Sequence, residues 1–293
     1  MATLLSLLGP RQPRKCNIAS VDQSVEFVSG KLYDIASVPG TTFQWDILFG
    51  LLQHESRSAV INVHSHIPWD NFQGNKANVD IYTVGSLTQL IALVQSLDFS
   101  QYKLVVLNDF HVLYQSAVRH LEDKRRGETP HRYKRDANGA RKDQPGPTRK
   151  LQLVVQDLLL LISSKCQTHE TIGITTGKMT TMSQRFFTRS QNSDIDDETE
   201  DTSMFQQIMV PVLPLNGPWA GQYAKRLVLY RDWVRESGGT GLDKNLTIVD
   251  YIRLMETKQL RVCPQFLGVT SKDSNRKFDT GWWCSDAQLT PVS

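Results

Sequence analysis

Short apolar runs alternating with amphipathic stretches constrain this chain most. Residues 57–64, 79–84, 103–108, 171–176 and 225–230 are each of strand length, and the runs at 57–64 and 103–108 are largely apolar. A strand that is apolar on both faces must be covered on both, as happens in parallel sheets flanked by helices rather than in half-solvated antiparallel ones. The intervening stretches supply the helices. Residues 42–54 set Phe43, Ile47, Leu48, Leu51 and Leu52 on a helical stripe behind a hydroxyl residue suited to an N-cap. Residues 86–97 are amphipathic, and residues 151–165 have an almost wholly apolar middle. The alternation predicts an α/β fold with a central, mainly parallel sheet. A further strand is expected at 205–213, a terminal hairpin from 265–270 and 282–285, and irregular chain over 179–206. Residues 1–30, with Pro10 and Pro13 and no periodicity, read as a leader before a core at 31–293.

At 293 residues and 40% apolar content the chain suffices for one large domain. No apolar run approaches the roughly 20 residues that span a bilayer, so no membrane partner is expected. Cys16, Cys166, Cys263 and Cys284 form no C-x-x-C pair, which argues against a zinc site or a disulfide framework and for reduced thiols. The net charge of +3 conceals an asymmetry: residues 119–150 hold 11 Lys/Arg against 5 Asp/Glu. Residues 194–201 hold six carboxylates and read as a solvated loop.

Four segments carry chemistry. Residues 31–52 set out the strand, loop and helix of a phosphate-binding loop, in which glycines let backbone N–H groups wrap phosphates and a lysine reaches them. Pro39, Gly40, Thr41 and Thr42 remain of that loop, and the lysine is missing. Residues 103–114, Lys-Leu-Val-Val-Leu-Asn-Asp-Phe-His-Val-Leu-Tyr, end a buried strand in Asp109, which is suited either to capping the next helix or to holding a hard cation through water. Residues 59–66, Ala-Val-Ile-Asn-Val-His-Ser-His, end in His64 and His66, which could share a metal only if the strand bent. Residues 171–179 run Thr-Ile-Gly-Ile-Thr-Thr-Gly-Lys-Met.

Together with residues 213–232, which contain Leu-Pro-Leu-Asn-Gly-Pro-Trp before Arg226-Leu, these segments resemble in order the catalytic core of RecA-type recombinases, and specifically the eukaryotic recombinase paralogues. The resemblance spans most of residues 31–232 and implies a RecA-like P-loop fold. It makes Asp109 the acid that holds magnesium. It sets His66 where the family carries the glutamate that polarises the attacking water, and Gly177 and Lys178 where it carries an amide that senses the γ-phosphate. Trp219 and Arg226 match packing positions. With the lysine, glutamate and amide all replaced, no hydrolysis and no obligatory cofactor are expected. Residual binding of ATP and magnesium would fall to Gly40, Thr41, Thr42 and Asp109.

By position the family's first DNA loop is the basic insert at 116–150, with Lys124, Arg125, Arg126, Arg132, Tyr133, Lys134 and Arg135. Clustered cations neutralise phosphates and an aromatic can stack on bases, so these residues suit single-stranded DNA. A nuclear localisation signal and a solvated linker fit the same charges. The second loop offers Arg185 and Arg189, followed by an acidic stretch at 190–204 that repels phosphates. The resemblance therefore implies a nuclear, non-catalytic subunit in homologous recombination and DNA repair, in a heteromeric complex with other recombinase paralogues, the main recombinase and single-stranded DNA. Two alternatives stand beside it: a DNA-dependent ATPase with an atypical phosphate loop, and a RecA-like scaffold subunit of a tRNA-modification complex.

Overall fold

The expected apolar runs all form strands, and their pairing places them in one sheet. A computed structural model describes residues 13–39, 43–63, 65–127, 146–186, 204–213, 217–235, 260–271, 283–286 and 288–291. The strands are β1 (Leu32–Ser37), β2 (Ser58–Asn62), β3 (Val79–Thr83), β4 (Leu104–Asn108), β5 (Ile172–Phe186), β6 (Met204–Pro211), β7 (Lys225–Arg235), β8 (Leu260–Ser271), β9 (Trp283–Asp286) and β10 (Gln288–Pro291). The helices are α1 (Ala19–Ser24), α2 (Phe43–Gln53), α3 (Leu87–Ser96), α4 (Phe110–Gly127) and α5 (Pro147–His169). The main sheet runs β3-β2-β4-β5-β1-β7-β8. Its first six strands are parallel, and β8 closes the order antiparallel to β7. The fold is thus α/β, with a mainly parallel sheet between helices.

Alternation along each strand divides the core in two. Tyr33, Ile35, Val60, Val106, Ile174 and Leu227 face the layer of α1 and α2. Leu32, Ala59, Ile61, Val105 and Leu107 face the opposite layer, formed by α3, α4 and α5. Helix α2 is buried on nearly every side, because Trp69 and Phe72 cover its outer face with rings 5.7 and 5.2 Å from Phe49. On the other side, Ser86 caps α3 by accepting from the Gln89 amide. The Lys165 ammonium closes its far end on the carbonyls of Val94, Gln95 and Leu97 at 2.7 to 3.0 Å. Cations suit a helix C-terminus, where carbonyls lack intrahelical partners. Trp219 is buried in this layer with its ring 5.7 Å from Tyr114. Among the described residues no helix is long and apolar enough to cross a membrane.

Three expectations need correction. Residues 13–30 do not merely precede the core: Cys16, Ile18, Val21, Val25 and Phe27 are buried within the α2 layer. They reach it because Gly50 has no side chain; a Cβ there would lie 1.8 Å from the Cys16 carbonyl oxygen. The chain from 179 to 186 is not irregular, since β5 continues through it and pairs antiparallel with β6 from Met179–Pro211 to Phe186–Met204. The terminal hairpin also differs. Residues 265–270 belong to β8, which pairs with β7, while Trp283–Asp286 pairs with Gln288–Pro291.

Candidate functional site

Because β2, β4, β5 and β1 are parallel neighbours, their carboxyl-terminal sides fall on one edge of the sheet. Register sets Asn62 beside Asn108 and Ser37 beside Lys178. Such an edge, where helices begin and strands end, is where open α/β sheets bind ligands.

At the centre is a chain of short polar side chains. Thr176 Oγ1 donates to Asn108 Oδ1 at 2.8 Å, and Asn108 Nδ2 donates to Asn62 Oδ1 at 2.9 Å and also to Ser65 Oγ. Ser65 Oγ donates in turn to Asn62 Oδ1 at 2.8 Å. These bonds fasten Thr176 of β5 and the ends of β4 and β2 to the segment after β2. Asp109 follows in the left-handed region, φ 55°, with its amide donating to Thr176 Oγ1 at 2.9 Å. Asp tolerates that conformation better than most residues do, and it turns the chain from β4 into α4.

His111 is 6% exposed, and its Nδ1 lies 3.9 Å from Asp109 Oδ1, too far for a hydrogen bond. Among the described residues neither atom, both buried, has a hydrogen-bond partner. Burial, foremost, holds the imidazole below its ordinary range; Asp109 pushes the other way, and Lys178 adds to the lowering. Burial thus favours the neutral imidazole beside a carboxyl group, and the pair is where this edge most departs from a satisfied core.

On the β1 side, Lys178 donates to Ser37 Oγ at 3.1 Å and to Gln44 Oε1 at 3.0 Å, and Ser37 Oγ also donates to Gln44 Oε1. Burial pulls the Lys178 pKa down, and Asp109 pulls it back up. Deeper in the sheet, Asp34 accepts from Thr175 Oγ1 on β5 at 2.6 Å and from Arg226 on β7 at 2.6 and 2.9 Å. Arg226 also donates to the Leu213 carbonyl and lies over the Tyr223 ring. This ion pair joins three strands, and both of its members are buried.

The structure brings Asp109 to the same edge as Lys178 and the start of α2. His66 is exposed, and His64 lies outside the described residues. Among the described residues no group of three side chains could hold a metal ion. Gly40, Thr41 and Thr42 lie outside the described residues, as do Arg132, Tyr133, Lys134, Arg135 and Arg189. Lys124 is exposed near the end of α4, which also contains Arg125 and Arg126, and Arg185 lies in β5. Sequence reasoning missed Ser37, Gln44 and His111. His111 could have been noticed two residues after Asp109; the other two depend on which strand lies beside β1. No protein-family model and no curated protein sequence matches the chain.

Proposed function

We propose that the chain is a non-catalytic, RecA-like recombinase paralogue, acting in a heteromeric complex that supports recombinase filaments on single-stranded DNA. One observation carries the reading. Asp109, the end of β2, Lys178 and the end of β1 with the start of α2, which the motifs single out separately along the sequence, all meet at one edge of a parallel sheet. The chemistry there opposes turnover. Hydrolysis needs an anionic group to orient the attacking water and a lysine on the transferred phosphate. An exposed His66 ends the β2 segment, and Lys178 is bonded to Ser37 and Gln44.

The test is to purify the tagged full-length chain from its own cells, identify the co-purifying proteins, and measure ATP turnover of the complex. Recombinase-type partners are expected. With the partners' own phosphate loops disabled, Asp109→Ala should leave turnover at background. Turnover that depends on Asp109 would favour the ATPase alternative, and tRNA-modifying partners would favour the scaffold alternative.

A further inference from the structure

The two ends of the degenerate phosphate loop are joined by side chains. Ser37 closes β1, Gln44 stands in the first turn of α2, and Lys178 reaches both from β5, where register sets it beside Ser37. In a working loop this connection forms when backbone amides and a lysine close around bound phosphate, and the ligand adds its binding energy to the fold. Here it is closed by the chain itself. We propose that Lys178 is a resident clamp, an ammonium delivered from the neighbouring strand that ties the end of β1 to the start of α2 in place of a bound nucleotide.

Burial favours the clamp over a phosphate-binding role for the same lysine. Ser37 is 0% exposed and Gln44 is 2% exposed. Were Lys178 to swing toward an anion, it would give up its bonds to two polar side chains that water does not reach. Its position also fits a cross-strand tie. A lysine inside the loop would travel with the loop, whereas Lys178 is anchored in a strand paired on both sides, to β1 and β4 or, from Met179 onward, to β6. Asp109 supplies negative charge nearby, which supports the ammonium against its partial burial. The clamp also accounts for a well-packed α2 behind a loop that lacks its lysine: the helix keeps its seat against β1 without a ligand.

The inference rests on reading residues 38–42 as a former phosphate loop, though not on a role in recombination. It is tested on the purified full-length chain by thermal melting with and without Mg-ATP, Mg-ADP and inorganic pyrophosphate, and by amide exchange in Lys178→Met. Wild-type melting should be the same in all four conditions. Exchange in the first two turns of α2 should quicken by roughly tenfold or more in Lys178→Met, while β2 and β4 keep their protection. Should that variant not fold, Ser37→Ala, which removes one of its acceptors, is read the same way with a smaller change. A wild-type melt raised by any of the three anions would overturn the clamp, as would unchanged protection of α2 in the variants. Unexpected partners in the purification from cells would instead weaken the functional reading and leave the clamp standing.

Discussion

At the scale of single residues, the costliest commitment in the sheet is the pair Asp34 and Arg226, which are 3% and 4% exposed. A buried ion pair adds little net stability over well-packed apolar groups, yet either half alone is a stranded charge. Arg226→Met should therefore destabilise the fold by about 3–5 kcal/mol, and the double variant Asp34→Leu with Arg226→Met by clearly less. Urea unfolding of the full-length chain measures both; equal losses would show that Asp34 does not depend on its partner. The sequence shows half of this arrangement. Arg226 is legible at the head of a strand, but Asp34 stands alone within an apolar run until the β1–β7 register places the two side by side. The same holds at the edge of the sheet. Lys178 is visible in sequence only as a departure from an amide, because its bonds to Ser37 and Gln44 cross 141 and 134 positions.

At the scale of elements, the parallel strands and the helices α2, α3 and α5 are legible because apolar period and capping residues are local signals. The continuation of β5 is not, since residues 179–186 mix polar and apolar side chains without strict alternation and their partner lies beyond the acidic run. The N-terminal segment escapes for another reason: its seat on α2 depends on a glycine in the partner helix. Gly50→Ala would drive a methyl group into the Cys16 carbonyl, and backbone cannot step aside as a flexible side chain can. It should cost about 1–3 kcal/mol, the usual range for overpacking a core. Alkylation of the native protein gives a specific readout. In the wild type Cys16 is buried and burial pushes its thiol pKa up, so it should resist iodoacetamide. In Gly50→Ala it should label rapidly, while Cys166, which burial pushes up to about 12 within α5, should stay protected.

At the scale of the whole molecule, the proposed DNA role rests on the positive charge at the end of α4 and in the sequence that follows it before α5. If Lys124, Arg125, Arg126, Arg132, Lys134 and Arg135 touch phosphates, neutralising them in the purified complex should weaken single-stranded DNA binding across sequences. The slope of log K against log salt should flatten by about 0.7 for each phosphate that no longer meets a cation. Identical titrations would remove the DNA role and leave localisation or a linker. The opposite charge, in the acidic run, belongs to a segment that leaves the described fold at Phe186 and returns at Met204, the far end of the β5–β6 ladder. At about 3.4 Å per residue, the ladder from Met179 to Phe186 spans roughly 24 Å, some three screening lengths at physiological salt. The ribbon is thus a spacer as well as a pair of strands: a charge introduced at Phe186 or Met204, its far end, is electrically remote from the ammonium at its root, so each can be altered without retitrating the other.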